Sequence, residues 1–319
     1  MAQGTEVRER SATPSAPSAR RGPRLFGPAD PRHASSYPVS FLLPAFAVLL
    51  VFFFLPTVYN FVYAFTDWSS FKAEINFVGA DNFERLLSNG DLLRALRITV
   101  VYAVLVALFQ NLFGLLLAVL LENDTRVNRL SRVFLFIPVL MSALAVGYIF
   151  QALLKPDGAL NAVLTRVSGD EVSTAWLGST TWTIVVVAVI HGWKWMGLSM
   201  LIYLAGLKTI DGQLIEASKL DGTTAWQRFV HVRFPLLAPA VTFNVATALL
   251  GSLNSFDIVQ ATTGGGPARS TELLNIFIYR TFGQGLFAQA TTMSLVLFLT
   301  VALMAFPVVG LLRRRENVL

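Results

Sequence analysis

The chain has no cysteine, which excludes disulfides, thiolate metal sites and a cysteine nucleophile and leaves the redox compartment undecided. Charge is scarce: Asp, Glu, Lys and Arg make up 14% of 319 residues, against about 25% in soluble domains. Only three histidines occur, His33, His191 and His231, and neither H-E-x-x-H nor G-x-S-x-G is present, so metal and hydrolytic catalysis have no supporting motif. The run Gly264-Gly265-Gly266-Pro267 lacks the G-K-[ST] ending by which a P-loop meets phosphates, and reads instead as a tight turn between helices. ATP therefore has no usual site on this chain. Asp257 and Glu272 flank that turn and are expected to cap helices or sit in solvent rather than act as an acid and base. No catalytic or metal-ligating residue is assigned.

Apolar residues in long runs take the place of these features. They make up 54% of the chain, with a mean hydropathy of +0.59. Residues 34–66, 98–121, 133–154, 234–256 and 281–312 are free of charge, and residues 182–207 are interrupted only by Lys194. Each is long enough to supply the roughly 20 helical residues that cross a bilayer core. None shows the two-residue alternation of a barrel strand. The expectation is an all-α polytopic membrane bundle of six transmembrane helices.

Residues 1–36 are rich in Ser, Pro, Ala and Arg and lack an apolar run, so they read as a disordered cytoplasmic tail ahead of a transmembrane domain at 37–319. The first apolar stretch begins near Phe41 and is too long for the core of a cleaved signal. The net charge of +6 reports topology rather than nucleic-acid binding, because the basic residues cluster beside the apolar runs. Six lie in the tail, three between the second and third runs (Arg126, Arg129, Arg132), four in the segment after the fourth (Lys208, Lys219, Arg228, Arg233) and three at the C-terminus. The alternate loops carry Lys72, Arg85, Arg94, Arg97, Lys155, Arg166, Arg269 and Arg280. The richer side is cytoplasmic, so both termini face inward.

The polar segment between the fourth and fifth runs, Ile215 to Pro239, reads as two short helices around an Asp221-Gly222 corner, with Pro235 opening a new helix. Glu216-Ala217-Ser218, Asp221-Gly222, Phe229 and Val232-Arg233-Phe234-Pro235 resemble the EAA loop of the membrane subunits of binding-protein-dependent ABC importers. Ser218, Val232 and Phe234 are mild departures from that pattern. Within these importers, Gly79 to Phe83, Ser255-Phe256-Asp257-Ile258 and Thr262 to Pro267 are similar to signatures of the carbohydrate-uptake permeases. The resemblance spans about Phe41 to Arg315.

It implies a permease subunit in the bacterial plasma membrane, its EAA loop at about 208–235 seated in a groove of an ATPase. The implied partners are a second, homologous permease, two copies of the ATPase carrying ATP and Mg, an extracellular solute-binding protein, a sugar substrate and membrane lipid. No cofactor is expected on this chain. The implied coupling residues are Glu216, Ala217, Ser218, Asp221, Gly222, Phe229 and Pro235. By spacing from the loop, the implied substrate path is His191, Lys194 and Trp195 on the fourth span, facing Gly251, Ser252, Asn254 and Ser255 on the fifth. These polar residues also fit a packing seam between helices, and Lys194 also fits a partner-subunit pairing. A permease for a non-sugar solute such as a glycerol phosphate derivative is the nearest alternative. A secondary transporter is further off, since it needs carboxylates inside the spans.

Overall fold

The computed structural model describes residues 42–316; the proposed tail at 1–36 lies outside them. The described residues are helical with no β-strand, and one isolated bridge joins Thr66 to Phe77. They fall into two compact units, divided between Leu55 and Pro56. The first holds α1 (Leu43–Leu49) and a π-turn at Leu50–Phe54. The second begins within α2 (Leu55–Tyr63) and holds the remaining helices.

Among the described residues four stretches are long and apolar enough to cross a membrane: Leu43–Tyr63, Asp91–Leu120, Thr183–Lys208 and Phe287–Arg314. Two bent pairs bring the number to six when each is counted as one span. The third span comprises α5 (Arg126–Leu140) and α6 (Ala143–Leu153), bent by 99°; the fifth comprises α10 (Ala225–Leu236) and α11 (Ala238–Leu253), bent by 70°. Hydropathy registers only length and polarity, so it reads straight through both bends.

Their causes are local. In the third span Pro138 lies inside α5, and Met141 and Ser142 turn extended, with ψ of 148° and 137°. In the fifth, Pro235 stands in the first turn of the α-helical segment Phe234–Leu236, as expected, but that segment follows the π-turn Phe229–Arg233 without a break and closes α10. The break comes at Leu237, and Pro239 stands in the first turn of α11, where its missing N–H costs nothing. The sixth window is also shorter than expected: its first residues belong to α13 (Leu274–Gly283) and a turn, and α14 (Phe287–Glu316) starts only after them.

The second span, α4 (Asp91–Leu120), is central to the second unit. Val104, Leu108, Leu112, Leu116 and Leu120 recur every four residues on its exposed face, as a lipid-facing stripe should. Tyr102, Ala103, Val106, Gln110 and Gly114 face inward. There α4 meets α8 (Thr183–Lys208) so closely that a Cβ on Gly114 would stand 2.6 Å from Cβ of Ser199. Glycine here permits the helices to touch. Tyr102 and Val106 share a core with Val146 of α6, Val187 and Ile190 of α8, and Ile258 and Val259 of α12 (Asp257–Thr262).

On the expected external side, the segment that carries the Gly79–Phe83 signature forms α3 (Asp81–Ser88), and residues after α6 form α7 (Ala159–Ser168). Buried Asn82 donates to the carbonyls of Ala64 and Thr66 at 3.0 and 2.7 Å, satisfying the end of α2. Asp257 is exposed in the first turn of α12, as a helix N-terminus favours. Glu272 departs from expectation: it is 1% exposed and paired with both Arg269 and Arg280. Arg269 also reaches Asp91 at 3.0 Å, tying the glycine-rich turn to the start of α4.

Candidate functional site

Two constellations follow from this framework, a corner on the expected cytoplasmic side and a polar seam within the bundle. At the corner, Asp211 accepts a hydrogen bond from the Gln213 amide at 2.9 Å and so starts α9 (Gly212–Leu220). The chain then reverses through Asp221 and Gly222. Gly222 has φ of +75°, a conformation other residues pay to adopt, and nothing lies within 4 Å of where its Cβ would stand. The requirement for glycine is therefore conformational and not steric.

Side chains finish the corner. The Thr223 hydroxyl and amide both donate to the Ser218 carbonyl, at 2.6 and 3.3 Å. Thr224 and Gln227 form a capping box that restarts the helix as α10. Ser218 is buried, and its hydroxyl donates to Ile215 O at 2.8 Å, which shows how a serine is accommodated where alanine was expected. Glu216, Ala217, Asp221 and Gly222 are exposed; Phe229 and Pro235 are half-buried. Phe229 stacks on Trp226 and packs against Phe234. Leu220 and Trp226 stand 89% and 73% exposed beside the corner, so the tip presents apolar surface flanked by the Glu216 carboxylate.

The seam runs where α4, α8 and α11 meet. His191 Nδ1 and the Tyr102 hydroxyl share a 2.8 Å hydrogen bond, and Ser255 is a second polar neighbour of that hydroxyl. Ser252 donates to the Ala248 and Leu249 carbonyls of its own helix and, at 3.4 Å, to Ala103 O of α4. His191 and the two serines thus converge on consecutive residues of α4, with the second span standing where direct contact was expected. Lys194 points elsewhere, to Val139 O of α5 at 3.2 Å, with its ammonium 4.2 Å from the centre of the Trp195 ring. Trp195 is half-buried; Gly251 is exposed on another face of α11, and Asn254, just past its end, is exposed as well.

Further along the seam Gln110 donates to Ser199 Oγ at 2.9 Å, and Tyr203 to Asn111 Oδ1 at 2.6 Å. Asn244 donates to Ser199 O at 3.3 Å while its own Oδ1 is buried without a partner. Sequence reasoning passed over Tyr102, Gln110, Asn111, Ser199 and Tyr203. The adjacent amides Gln110-Asn111 in a charge-free window were an available signal, because a polar group in hydrocarbon calls for a partner. No group of His, Asp and Glu able to hold a metal occurs among the described residues. The seam offers hydroxyl, amide and imidazole groups for hydrogen bonding.

Comparison with known proteins places these features in a family. Residues 110–315 match the family described as binding-protein-dependent transport system inner membrane component. The chain is 32% identical over 271 residues to the lactose transport system permease protein LacF of Rhizobium radiobacter, covering 83% of this chain and 90% of that one. It is 31% identical over 249 residues to the sn-glycerol-3-phosphate transport system permease protein UgpA of Rhizobium meliloti, covering 78% and 83%. Its fold is similar to that in a crystal structure of a bacterial ABC transporter involved in the import of the acidic polysaccharide alginate. The TM-score is 0.74 at 22% identity, with 86% of this chain and 94% of that chain covered.

Proposed function

Because the chain belongs to the family of binding-protein-dependent transport system inner membrane components, we propose that it is the permease subunit of a carbohydrate importer driven by a separate ATPase. The observation that carries this reading is the corner at Gly222. A positive φ fixed by glycine, a Thr223 clamp on Ser218 and a capping box hold Leu220 and Trp226 out of the protein, next to Glu216. An exposed, rigid apolar tip on a membrane protein is suited to a groove on a partner.

In this reading Glu216, Ala217, Ser218, Asp221, Gly222, Phe229 and Pro235 form or support the docking element. ATP and Mg are bound by two copies of the ATPase, and a second permease completes the membrane pathway. An external binding protein delivers the solute. Nucleotide binding shifts the bundle between inward and outward states, which requires contacts that differ in strength between the two.

A sugar is favoured over a glycerol phosphate by the glycine-rich signature at 262–267, and relatives of both kinds exist. The path is assigned to His191, Lys194, Trp195, Gly251, Ser252, Asn254 and Ser255. Trp195, Gly251 and Asn254 have surface available for contact. His191, Ser252 and Ser255 support that wall from the α4 side, and Lys194 shapes it through its hydrogen bond to α5. Aromatic rings cover the apolar faces of a sugar while amides and hydroxyls meet its alcohols.

The test is uptake by the reconstituted complex with its binding protein. Labelled oligosaccharides are expected to accumulate only with ATP and the ATPase present. Accumulation driven by an ion gradient alone would identify a secondary transporter, and preference for glycerol 3-phosphate would move the substrate to the alternative class.

A further inference from the structure

We propose that Glu122 and Arg233 are a positioning pair that carries displacement of the docking corner into the second span, so that α4, α8 and residues 212–236 move as one body. This rests on the docking reading above and adds a connection it does not contain. Glu122 follows the C-terminus of α4, and Arg233 ends the π-turn Phe229–Arg233 in α10. Their side chains are ion-paired across 111 positions of sequence.

The site of this pair is chemically specific. The C-terminus of a long helix presents unpaired carbonyls with partial negative charge, so a carboxylate beside it is disfavoured unless cations are at hand. Two arginines divide the task. Arg132 of α5 donates to the backbone carbonyls of Leu121, Glu122 and Asn123 and reaches Asp124 at 3.3 Å, fixing the main chain that carries Glu122. Arg233 takes the Glu122 carboxylate itself. The π-turn that Arg233 ends widens α10 by one residue, and such bulges recur at functional positions.

The remaining contacts favour α4 as the receiver of motion. Tyr203 to Asn111, Gln110 to Ser199 and the Gly114 contact bind α4 to α8 along their length. Leu237, at the bend, packs with Met200, Tyr203 and Leu204 of α8. The corner is thereby anchored on α8 through the chain and on α4 through one ion pair, whereas α11 is reached only past a 70° bend.

In proteoliposomes containing the whole complex, Glu122→Gln and Arg233→Gln are expected to assemble and to lose binding-protein-stimulated ATP hydrolysis and uptake together. The loss should be at least about fivefold, the low end for a coupling free energy. The reversed pair Glu122→Arg with Arg233→Glu should recover at least half of the activity. In the cysteine-free background, Glu122→Cys with Arg233→Cys joined by a reducible bifunctional thiol reagent should transport better joined than reduced. Wild-type coupling in both single variants, a reversed pair no better than the singles, or a cross-link that abolishes uptake overturns the proposal. If the single variants fail to assemble, the reversed pair and the cross-link decide. Gly222→Val in the same vesicles separates the two claims. Coupling lost there but intact in Glu122→Gln and Arg233→Gln overturns the pair alone; coupling intact in Gly222→Val overturns the docking corner and the pair with it.

Discussion

Lys194 Nζ donates to the Val139 carbonyl oxygen at 3.2 Å, so the fourth span closes the end of a helix in the third. The break between α5 and α6 leaves carbonyls without intrahelical partners, and within an apolar span such groups need a donor from the protein. A cation at a helix C-terminus also matches the sign of the helix dipole. Lys194 is 2% exposed and lies over Trp195, which gives this lysine a place within its own subunit.

Removing that cap should cost stability. Lys194→Met leaves the half-buried Val139 carbonyl without this donor, a loss of up to about 1–3 kcal/mol, whereas Lys194→Gln keeps a donor and should lose less. Melting of the detergent-solubilised complex, followed by size-exclusion chromatography, reads the difference. Equal melting of wild type and both variants would remove the capping role.

Gly222→Val should uncouple the complex while leaving it folded. The space beside Gly222 is open, so the penalty is the strain of holding valine at positive φ, about 1–2 kcal/mol. Gly222→Asn should be milder, because asparagine visits that region more readily. Glu216→Ala should weaken stimulation by removing an exposed charge from the docking helix. Uptake and stimulated ATPase activity in purified complexes check all three, and full activity in Gly222→Val would make the corner an ordinary hairpin.

The external turn should fail when its carboxylate is removed. Burial works against the charge on Arg269, but its hydrogen bonds to Glu272 and Asp91 hold its pKa above the ordinary value. Glu272→Ala leaves Arg269 and Arg280 near one another over Phe277 without their shared partner. Each lost charged hydrogen bond is worth up to about 1.5–3 kcal/mol, less here because both arginines are partly exposed. Lower melting temperature and faster proteolysis of the 264–272 turn are expected. Glu272→Ala melting as wild type does would refute this.

Topology can be tested without background, since the chain has no cysteine. Ser88→Cys and Ser168→Cys, both exposed, should react with an impermeant thiol reagent added outside cells. Asn123→Cys and Ala217→Cys, also exposed, should react only after the membrane is opened. Ala217 is a better probe than its buried neighbour Ser218. External labelling at Ala217 would invert the orientation and remove the docking argument.

The sequence by itself determined what depends on solvent and on neighbouring residues. A bilayer core demands long apolar helices, so the windows containing Leu108 or Val187 were legible, and arginines near 126–132 and 313–315 carried the expected orientation. The Asp221-Gly222 corner was legible as well, because its positive φ is a local requirement that only a few residue types meet easily. Tertiary structure alone decided the pairings: Lys194 to Val139, His191 to Tyr102, Arg233 to Glu122, and Arg269 to Asp91 across 178 positions. It also located the breaks near Met141 and Leu237, since a proline in an apolar run is compatible with a kink, a new helix or an uninterrupted span. The physical reason is common to all of these. Helical periodicity assigns a side chain to a face, but which helix lies against that face depends on how distant segments pack.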